Sequence, residues 1–372
     1  MPAAQQWIAL LGRPDTPADG VGDYCTFLGR GLARHGVELN IVRVNWGENG
    51  WPRALGQLSR DAKDWRDGWA ILQYTALGWS RRGFPVGAVA ALEVLRRRGV
   101  RCAVVFHDPG RQSGDARWFR AIRGACQDWV VRGLYRRAAR NIFADRLETI
   151  PWLPQDRAKA AFIPIGANIP APAADAGRGV GSNGRPMTVA VFCLSEAPNV
   201  HREIGDISFA MRSVAEREGE RKLRLVLLGR GTAEANDEVA QAFEGAAVDV
   251  VNVGLCSAEE ASQTLAQSDI MLCVRGKLFP RRGSAIAGIA CGLPIVAYEG
   301  PMDIFPLGEA GIRLVPYGDR RALAEALAQV LLDRELQERL RAKSLRAYEQ
   351  YFSWDVIARE FVRTLQEERP GA

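Results

Sequence analysis

At 372 residues the chain is long enough for two domains of ordinary size, and 47% hydrophobic with 25% charged residues is the balance of a soluble globular protein. No run reaches the roughly 18 uncharged apolar residues of a membrane span, and the N-terminus lacks a signal-peptide pattern, so a cytoplasmic protein is expected. The seven cysteines are scattered and never spaced as CxxC, and there are three histidines, which argues against a disulfide framework, a zinc site or a histidine-rich metal site. The net charge of +6 is uneven: residues 1–170 carry 25 Lys+Arg against 15 Asp+Glu, the rest 24 against 28, so the first half is expected to meet an anionic partner.

Residues 7–11 read as a short buried strand, followed by a loop rich in Gly, Pro and Asp. Asp23 is the expected N-cap of a helix with Tyr24, Phe27, Leu28 and Leu32 at helical spacing, stopped by His35-Gly36. Residues 37–44 form the second strand. This order opens a doubly wound α/β domain, whose ligands sit beyond the carboxyl ends of the strands. Gly20-Val-Gly22-Asp23 stands at that edge, although such turns need glycines for backbone reasons alone. The alternation continues with a strand at 69–73, a helix at 86–97 and a strand at 102–106 that ends in His107-Asp108. A His-Asp pair where a parallel strand meets its loop is placed where α/β proteins put catalytic groups.

Residues 117–140 form a long helix in which Trp118, Phe119, Ile122, Cys126, Trp129, Val130 and Leu134 are interleaved with seven arginines. It reads either as a core-facing stripe with a solvated basic face, which is preferred, or as an amphipathic helix on an anionic membrane surface. No nucleic-acid motif accompanies the charge. Residues 141–144 and 162–165 read as two further strands, and the Pro, Ala and Gly of 171–186 as an interdomain linker.

The second half restarts the alternation, with strands at 188–194, 223–228, 248–253, 270–274, 295–297 and 312–315 and helices near 204–216, 234–243 and 259–266. Gly229, Gly231 and Gly254 stand at strand ends. After the strand at 270–274 come four cations within eight residues, Arg275, Lys277, Arg281 and Arg282, then Gly283-Ser284 and a small-residue helix at 285–291. A glycine turn at a helix start presents backbone N–H groups and the positive end of the dipole, which suit a phosphate; the plainer reading is a solvated basic loop. Helices at 321–332 and 335–351 follow, and Ser353 is the expected N-cap of a last one.

Two α/β domains, a Gly/Pro linker and a terminal helix pair resemble the GT-B glycosyltransferases, above all the large retaining, family 4-like group that uses nucleotide sugars. The motifs are Gly20-Val-Gly22-Asp23-Tyr24 with Leu32-Ala-Arg-His-Gly36, Val104-Val-Phe-His107-Asp108, Ile163-Pro-Ile-Gly-Ala-Asn168, Leu227-Leu-Gly229-Arg-Gly231, Val253-Gly254, Ala266-Gln-Ser-Asp-Ile270, Ala290-Cys-Gly-Leu-Pro-Ile-Val296 and Phe352-Ser-Trp354. They cover nearly the whole chain.

The resemblance implies an α/β fold of two Rossmann-like domains facing a cleft: residues 1–170 as acceptor domain, 171–186 as linker, 187–352 as nucleotide-sugar donor domain, and 353–372 as a C-terminal helix crossing back to the first. Carried over by position, Gly20 and Gly22 would approach the donor, His107 would hydrogen-bond its sugar, and Gly229 and Gly254 would line the base pocket. Arg281, Arg282, Gly283 and Ser284 would hold the diphosphate, with Arg275 and Lys277 as further donor-binding cations. Neither a metal nor a cofactor is implied beyond the nucleotide-sugar co-substrate, because cations and the helix dipole stabilise the departing diphosphate. In a retaining reaction the donor phosphate takes the acceptor proton; in an inverting one Asp23 or Asp108 is the candidate base.

The departures from the family concern the sugar-reading groups. Its paired glutamates are replaced by Phe279 and Ala287, neither of which accepts a hydroxyl hydrogen bond, and its Arg and Lys after the first strand of the second domain are not evident. The expected activity is sugar transfer from a nucleotide-sugar to a glycan, lipid-linked or otherwise anionic acceptor in glycan biosynthesis, with peripheral contact to an anionic membrane as an added expectation. The alternatives are a non-catalytic nucleotide or glycan binder that keeps the fold, and another GT-B activity such as sugar-nucleotide epimerisation.

Overall fold

A computed structural model describes residues 5–12, 19–108, 110, 117–172, 185–217, 222–301 and 303–366. Residues 13–18 of the glycine loop and 173–184 of the expected linker lie outside these. Two compact units make up the chain, Met1–Ile165 with Trp354–Ala372, and Gly166–Ser353.

The first unit is built on a parallel sheet of β1 (Gln5–Leu11), β2 (Val37–Arg43), β3 (Trp69–Tyr74), β4 (Arg101–Phe106), β5 (Arg140–Phe143) and β6 (Ala160–Phe162), in the order β2-β1-β3-β4-β5-β6. Its helices are α1 (Gly20–Ala33), α2 (Trp46–Asn49), α3 (Trp51–Asp61), α4 (Val86–Arg97) and α5 (Arg117–Arg137). Strand β3 is buried at every position, as expected where helices cover both faces of a parallel sheet. The last strand falls at 160–162 and not at 162–165, because Pro164 has no N–H with which to extend the ladder.

The second unit has a parallel sheet of β7 (Met187–Phe192), β8 (Leu223–Leu228), β9 (Val248–Gly254), β10 (Ile270–Cys273), β11 (Ile295–Tyr298) and β12 (Ile312–Val315), in the order β12-β11-β10-β7-β8-β9. Around it lie α6 (Asn199–Arg217), α7 (Asn236–Ala242), α8 (Ala258–Ala266), α9 (Gly283–Ala290), α10 (Arg320–Leu332) and α11 (Arg334–Ala347). This is the strand order of a dinucleotide-binding fold, and its switch point lies between β7 and β10, where crossovers leave in opposite directions and open a crevice. A π turn, Tyr348–Phe352, ends α11.

The terminal helix α12 (Trp354–Gln366) packs back on α1 of the first unit. Its side chains Ile357, Phe361 and Leu365 are buried, each contributing about 1.5–3 kcal/mol of transfer free energy. The approach is close enough to require Gly31: a Cβ there would stand 2.6 Å from the Trp354 carbonyl oxygen and 3.0 Å from Ala358. Trp354 stacks on Phe27, with ring centroids 5.9 Å apart.

Candidate functional site

In the second unit, the expected donor loop falls at the switch point. Phe192 and Cys193 at the end of β7, residues 272–278 at the end of β10, and Arg282 and Ser284 beside them line one pocket. The loop is fixed by its own backbone. Gly276 takes a φ of 63°, the Leu278 N–H donates to the Tyr298 carbonyl at 3.0 Å, and the Leu278 carbonyl lies where a Cβ on Gly300 would collide with it. Gly283 and Ser284 are the first residues of α9 itself, which starts two residues before the expected 285. The N-cap is Arg282, which makes no side-chain capping bond, and Arg282 and Ser284 bring this helix start to the pocket lining. A Cβ on Gly283 would meet nothing within 4 Å, so packing does not demand the glycine.

The four cations play unequal parts. Arg275 and Lys277 are exposed and Arg281 is half-buried. Arg282 is also half-buried, and its Nη2 donates to the Lys277 carbonyl at 2.9 Å, closing the loop on itself. Burial holds its guanidinium below the usual arginine value, with the buried Glu203 acting in the opposite sense. Lys277 lies over the Tyr317 ring at 5.5 Å.

A further cation reaches this edge from α6 and was missed in the sequence. Arg202 lies over Tyr317 at 5.3 Å, donates to the Val274 carbonyl at 3.4 Å and pairs with Asp206 at 3.1 Å. Asp206 is buried and also accepts from the Tyr298 hydroxyl at 2.9 Å and from Arg320 at 3.3 Å. Glu203 is fully buried, and its Oε2 accepts from the Ser195 N–H at 2.8 Å, tying the β7 loop to α6. The signal was present: Glu203 and Asp206 interrupt the apolar positions Ile204, Ile207 and Met211, and charges at core positions are rarely unpaired.

Gly229 and Gly254 come together, the Gly229 N–H donating to the Gly254 carbonyl at 2.7 Å. Gly229 has a φ of 87° and lies against Phe192 and Cys193, which joins this pair to the pocket. Phe279 is 47% exposed and Ala287 is buried in α9, and the described lining of the pocket includes no carboxylate. Burial pushes the Cys273 thiol up to about 12, so it lines the pocket as a neutral group.

The first unit carries the remaining candidates. Helix α1 starts at Gly20, and its N-cap is Asp19, not Asp23: the Asp19 carboxylate accepts from the Val21 N–H at 3.2 Å and pairs with Arg43 at 2.9 Å. Asp19, directly before Gly20, satisfies the Val21 N–H, which leaves Asp23 in the first turn, exposed. A Cβ on Gly22 would meet Asp19 at 2.9 Å and Arg43 at 3.0 Å, so the glycine has a reason within the chain itself.

His107 follows β4, and its Nε2 is 2.8 Å from Oε1 of the buried Gln73 on β3. The Gln73 amide nitrogen turns to the Ile71 carbonyl, which leaves Oε1 as acceptor and assigns the proton to His107 Nε2. The imidazole meets the Tyr24 ring edge-on at 4.8 Å, so His107 and the start of α1 share one edge of the sheet. Asp108 accepts from the Gly110 N–H at 3.3 Å and shapes the loop. Among the described residues no group of three His, Cys, Asp or Glu side chains could hold a metal, and no helix is long and apolar enough to cross a membrane.

Residues 193–333 match the profile of the family described as glycosyl transferases group 1. The whole chain is similar in fold to sucrose-phosphate synthase from Thermosynechococcus elongatus, at 18% identity over 96% of this chain and 98% of that one, with a TM-score of 0.69. It is similar to HepE of Anabaena in complex with UDP and glucose (14%, 97% and 99%, 0.64) and to a glycosyltransferase from Rickettsia africae (11%, 98% and 99%, 0.65). No curated protein matches in sequence. The two-sheet α/β fold with a returning terminal helix is therefore the GT-B fold, and the match to the group 1 family model is confined to residues 193–333.

Proposed function

We propose that the chain is a glycosyltransferase that draws a sugar from a nucleoside diphosphate donor held by the second unit. The observation that carries this reading is the pocket between the ends of β7 and β10, rimmed by Arg275, Lys277 and Arg282 and by the uncapped start of α9. Positive charge and oriented N–H groups at one helix end stabilise a leaving diphosphate more than its esterified ground state, which is what transfer requires. The group 1 domain supports the same reading, and HepE in complex with UDP and glucose makes UDP the first nucleotide to test.

In this scheme Arg281, Arg282, Gly283 and Ser284 face the diphosphate, and Gly229 with Gly254 borders the base. His107, whose Nε2–H is held by Gln73, keeps Nδ1 as an acceptor for a sugar hydroxyl, and Asp23 and Asp108 are the carboxylates at that edge of the first unit. The cations replace a divalent ion as charge partner, so transfer is expected to survive chelation by EDTA. A retaining outcome needs no protein nucleophile, since a donor phosphate oxygen can take the acceptor proton. The positive charge of the first half fits an anionic glycan or lipid-carried acceptor.

The test is calorimetric binding and turnover with UDP-, GDP- and dTDP-sugars, with and without EDTA. The carboxylate-free lining of the pocket favours a second reading, a binder that reads nucleotide without transferring sugar. It expects UDP binding with neither transfer nor donor hydrolysis, and robust turnover excludes it.

A further inference from the structure

Three strands of the second unit end on cysteines at one edge of the sheet. Cys193 follows β7, Cys273 closes β10, and Cys256 stands two residues beyond β9. All three are free and half-buried. Cys193 and Cys273 line the same pocket, whereas Cys256 is not part of its lining. The register of β7 and β10 pairs Ile270 with Val189 and Met271 with Ala190, so two residues further on Cys273 stands opposite Phe192, next to Cys193. Strands about 4.8 Å apart with a rise of about 3.3 Å per residue put the two Cα atoms about 6 Å apart, inside the span of about 4.4–6.8 Å that a disulfide bridges.

Cys193 is held in a backbone conformation that its side chain disfavours. Its φ is 68°, and among the described residues no other non-glycine has a positive φ. A glycine would adopt this conformation without the clash of a Cβ. The neighbouring loop fixes it, since the Cys193 N–H donates to the Leu228 carbonyl at 2.8 Å and the Leu194 N–H to the Arg230 carbonyl at 2.9 Å. The thiol lies against Gly229, where a Cβ would stand 2.8 Å from Cys193 Sγ. A nucleophilic side chain kept in a pocket at the cost of backbone strain points to a use for that side chain. Cys273 holds its proton: burial pushes it up to about 12, with Arg282 acting against this and Cys193 adding to it. First attack therefore falls to Cys193, and Cys273 is the slower, resolving partner.

We propose that Cys193 and Cys273 form a reversible disulfide under a peroxide, which closes the pocket and places nucleotide binding under redox control. The proposal rests on the reading of this pocket as the donor site. The Cys193 sulfur attacks one oxygen of hydrogen peroxide; an S–O bond forms as the O–O bond breaks, and the departing hydroxide takes the thiol proton to give water. The Cys273 sulfur then attacks the Cys193 sulfur; the S–S bond forms, the S–O bond breaks, and the hydroxyl leaves as water with the Cys273 proton. Two thiols and one peroxide thus give one disulfide and two waters. The link ties the ends of β7 and β10 together across the crevice bordered by Arg282 and the start of α9, and the room for a diphosphate is lost.

The test is treatment of the full chain with hydrogen peroxide, followed by peptide mass spectrometry to map cross-links and by calorimetry with UDP, GDP and dTDP before oxidation, after it, and after reduction with dithiothreitol. The expected result is a peptide pair joined through Cys193 and Cys273, nucleotide binding lost on oxidation and regained on reduction, and cross-linking that quickens as pH rises and Cys273 gives up its proton. Cys193→Gly, which relieves the backbone, and Cys273→Ala are each compared with themselves, oxidised against reduced, and neither should lose affinity on oxidation. The mapping needs no nucleotide, so the two readings fail separately. A protein that forms the link but binds no nucleotide even when reduced overturns the donor reading, and the control of binding with it. A reduced protein that binds nucleotide but forms no such link, joins Cys193 to Cys256 instead, or keeps its affinity when linked, overturns this proposal alone.

Discussion

Replacing Arg282 with alanine removes one charge from the pocket edge and frees the Lys277 carbonyl that its Nη2 holds at 2.9 Å. A guanidinium about 5 Å from a phosphate charge, at an effective dielectric constant of about 20, contributes about 3 kcal/mol before screening. Hydrogen bonds to charged groups give a similar range of about 1.5–3 kcal/mol, which is a loss of roughly tenfold to 150-fold in UDP affinity. The second effect is on the loop itself, which loses the bond that closes it on Lys277. Calorimetry with UDP and with uridine separates the two effects. Uridine, which has no phosphate, should bind the variant and the wild type alike. Arg282→Lys, which keeps the charge without the planar fork, should fall between them. Equal weakening for UDP and uridine would refute the assignment of this residue to the diphosphate, and so would no weakening for either.

Gly300→Ala should disable the donor loop without touching a charge, because the new Cβ displaces the Leu278 carbonyl; a loss of UDP binding beyond about tenfold with an intact far-ultraviolet spectrum is expected. Gln73→Leu removes the acceptor at 2.8 Å from His107 Nε2, and kcat should fall about tenfold while UDP affinity stays within twofold. Burial pushes the Cys102 and Cys291 thiols up to about 12. Between their unfolded value near 9 and about 12 the folded state keeps a proton that the unfolded state has lost. Stability is therefore fully present below pH 9 and falls above it by about 1.4 kcal/mol per pH unit for each thiol. Urea midpoints measured from pH 8 to 11 should show this slope, and it should flatten in the Cys102→Ala, Cys291→Ala double variant.

Much of the fold was legible because apolar strands alternate with helices at short, glycine-marked spacing. Helix α4 and strand β8 fall on their expected residues, and the motif from Ala290 to Val296 marks the turn between α9 and β11. Helices α2 and α3 escaped, because Gly47, Gly50 and Pro52 punctuate that stretch as a loop would, while Pro52 in fact occupies the first turn of α3, where its missing N–H costs nothing. Helix α6 starts five residues before the expected position, its first turn being polar on account of Arg202 and Glu203. Local pattern alone points to Asp23 as the cap of α1. Only the fold brings Arg43 to Asp19 and makes that aspartate the better cap.

The candidate donor site was legible as a run of cations before a small-residue helix, but their ranking was not. Arg282 is distinguished by burial and by its bond to Lys277, and Arg202 by its reach across to Val274, and both need the β7 and β10 ends side by side. The apolar positions of α5 were read as one stripe. The spacing from Ile122 to Trp129 is as helical as that from Val130 to Leu134, and only burial divides them.

The central claim is transfer from a nucleotide-sugar, and the direct measurement is release of nucleoside diphosphate from a panel of UDP-, GDP- and dTDP-sugars in the presence of EDTA. Saturable release with at least one donor is expected, reduced about tenfold or more by Arg281→Ala or Arg282→Ala. Absence of both binding and release across the whole panel would contradict it.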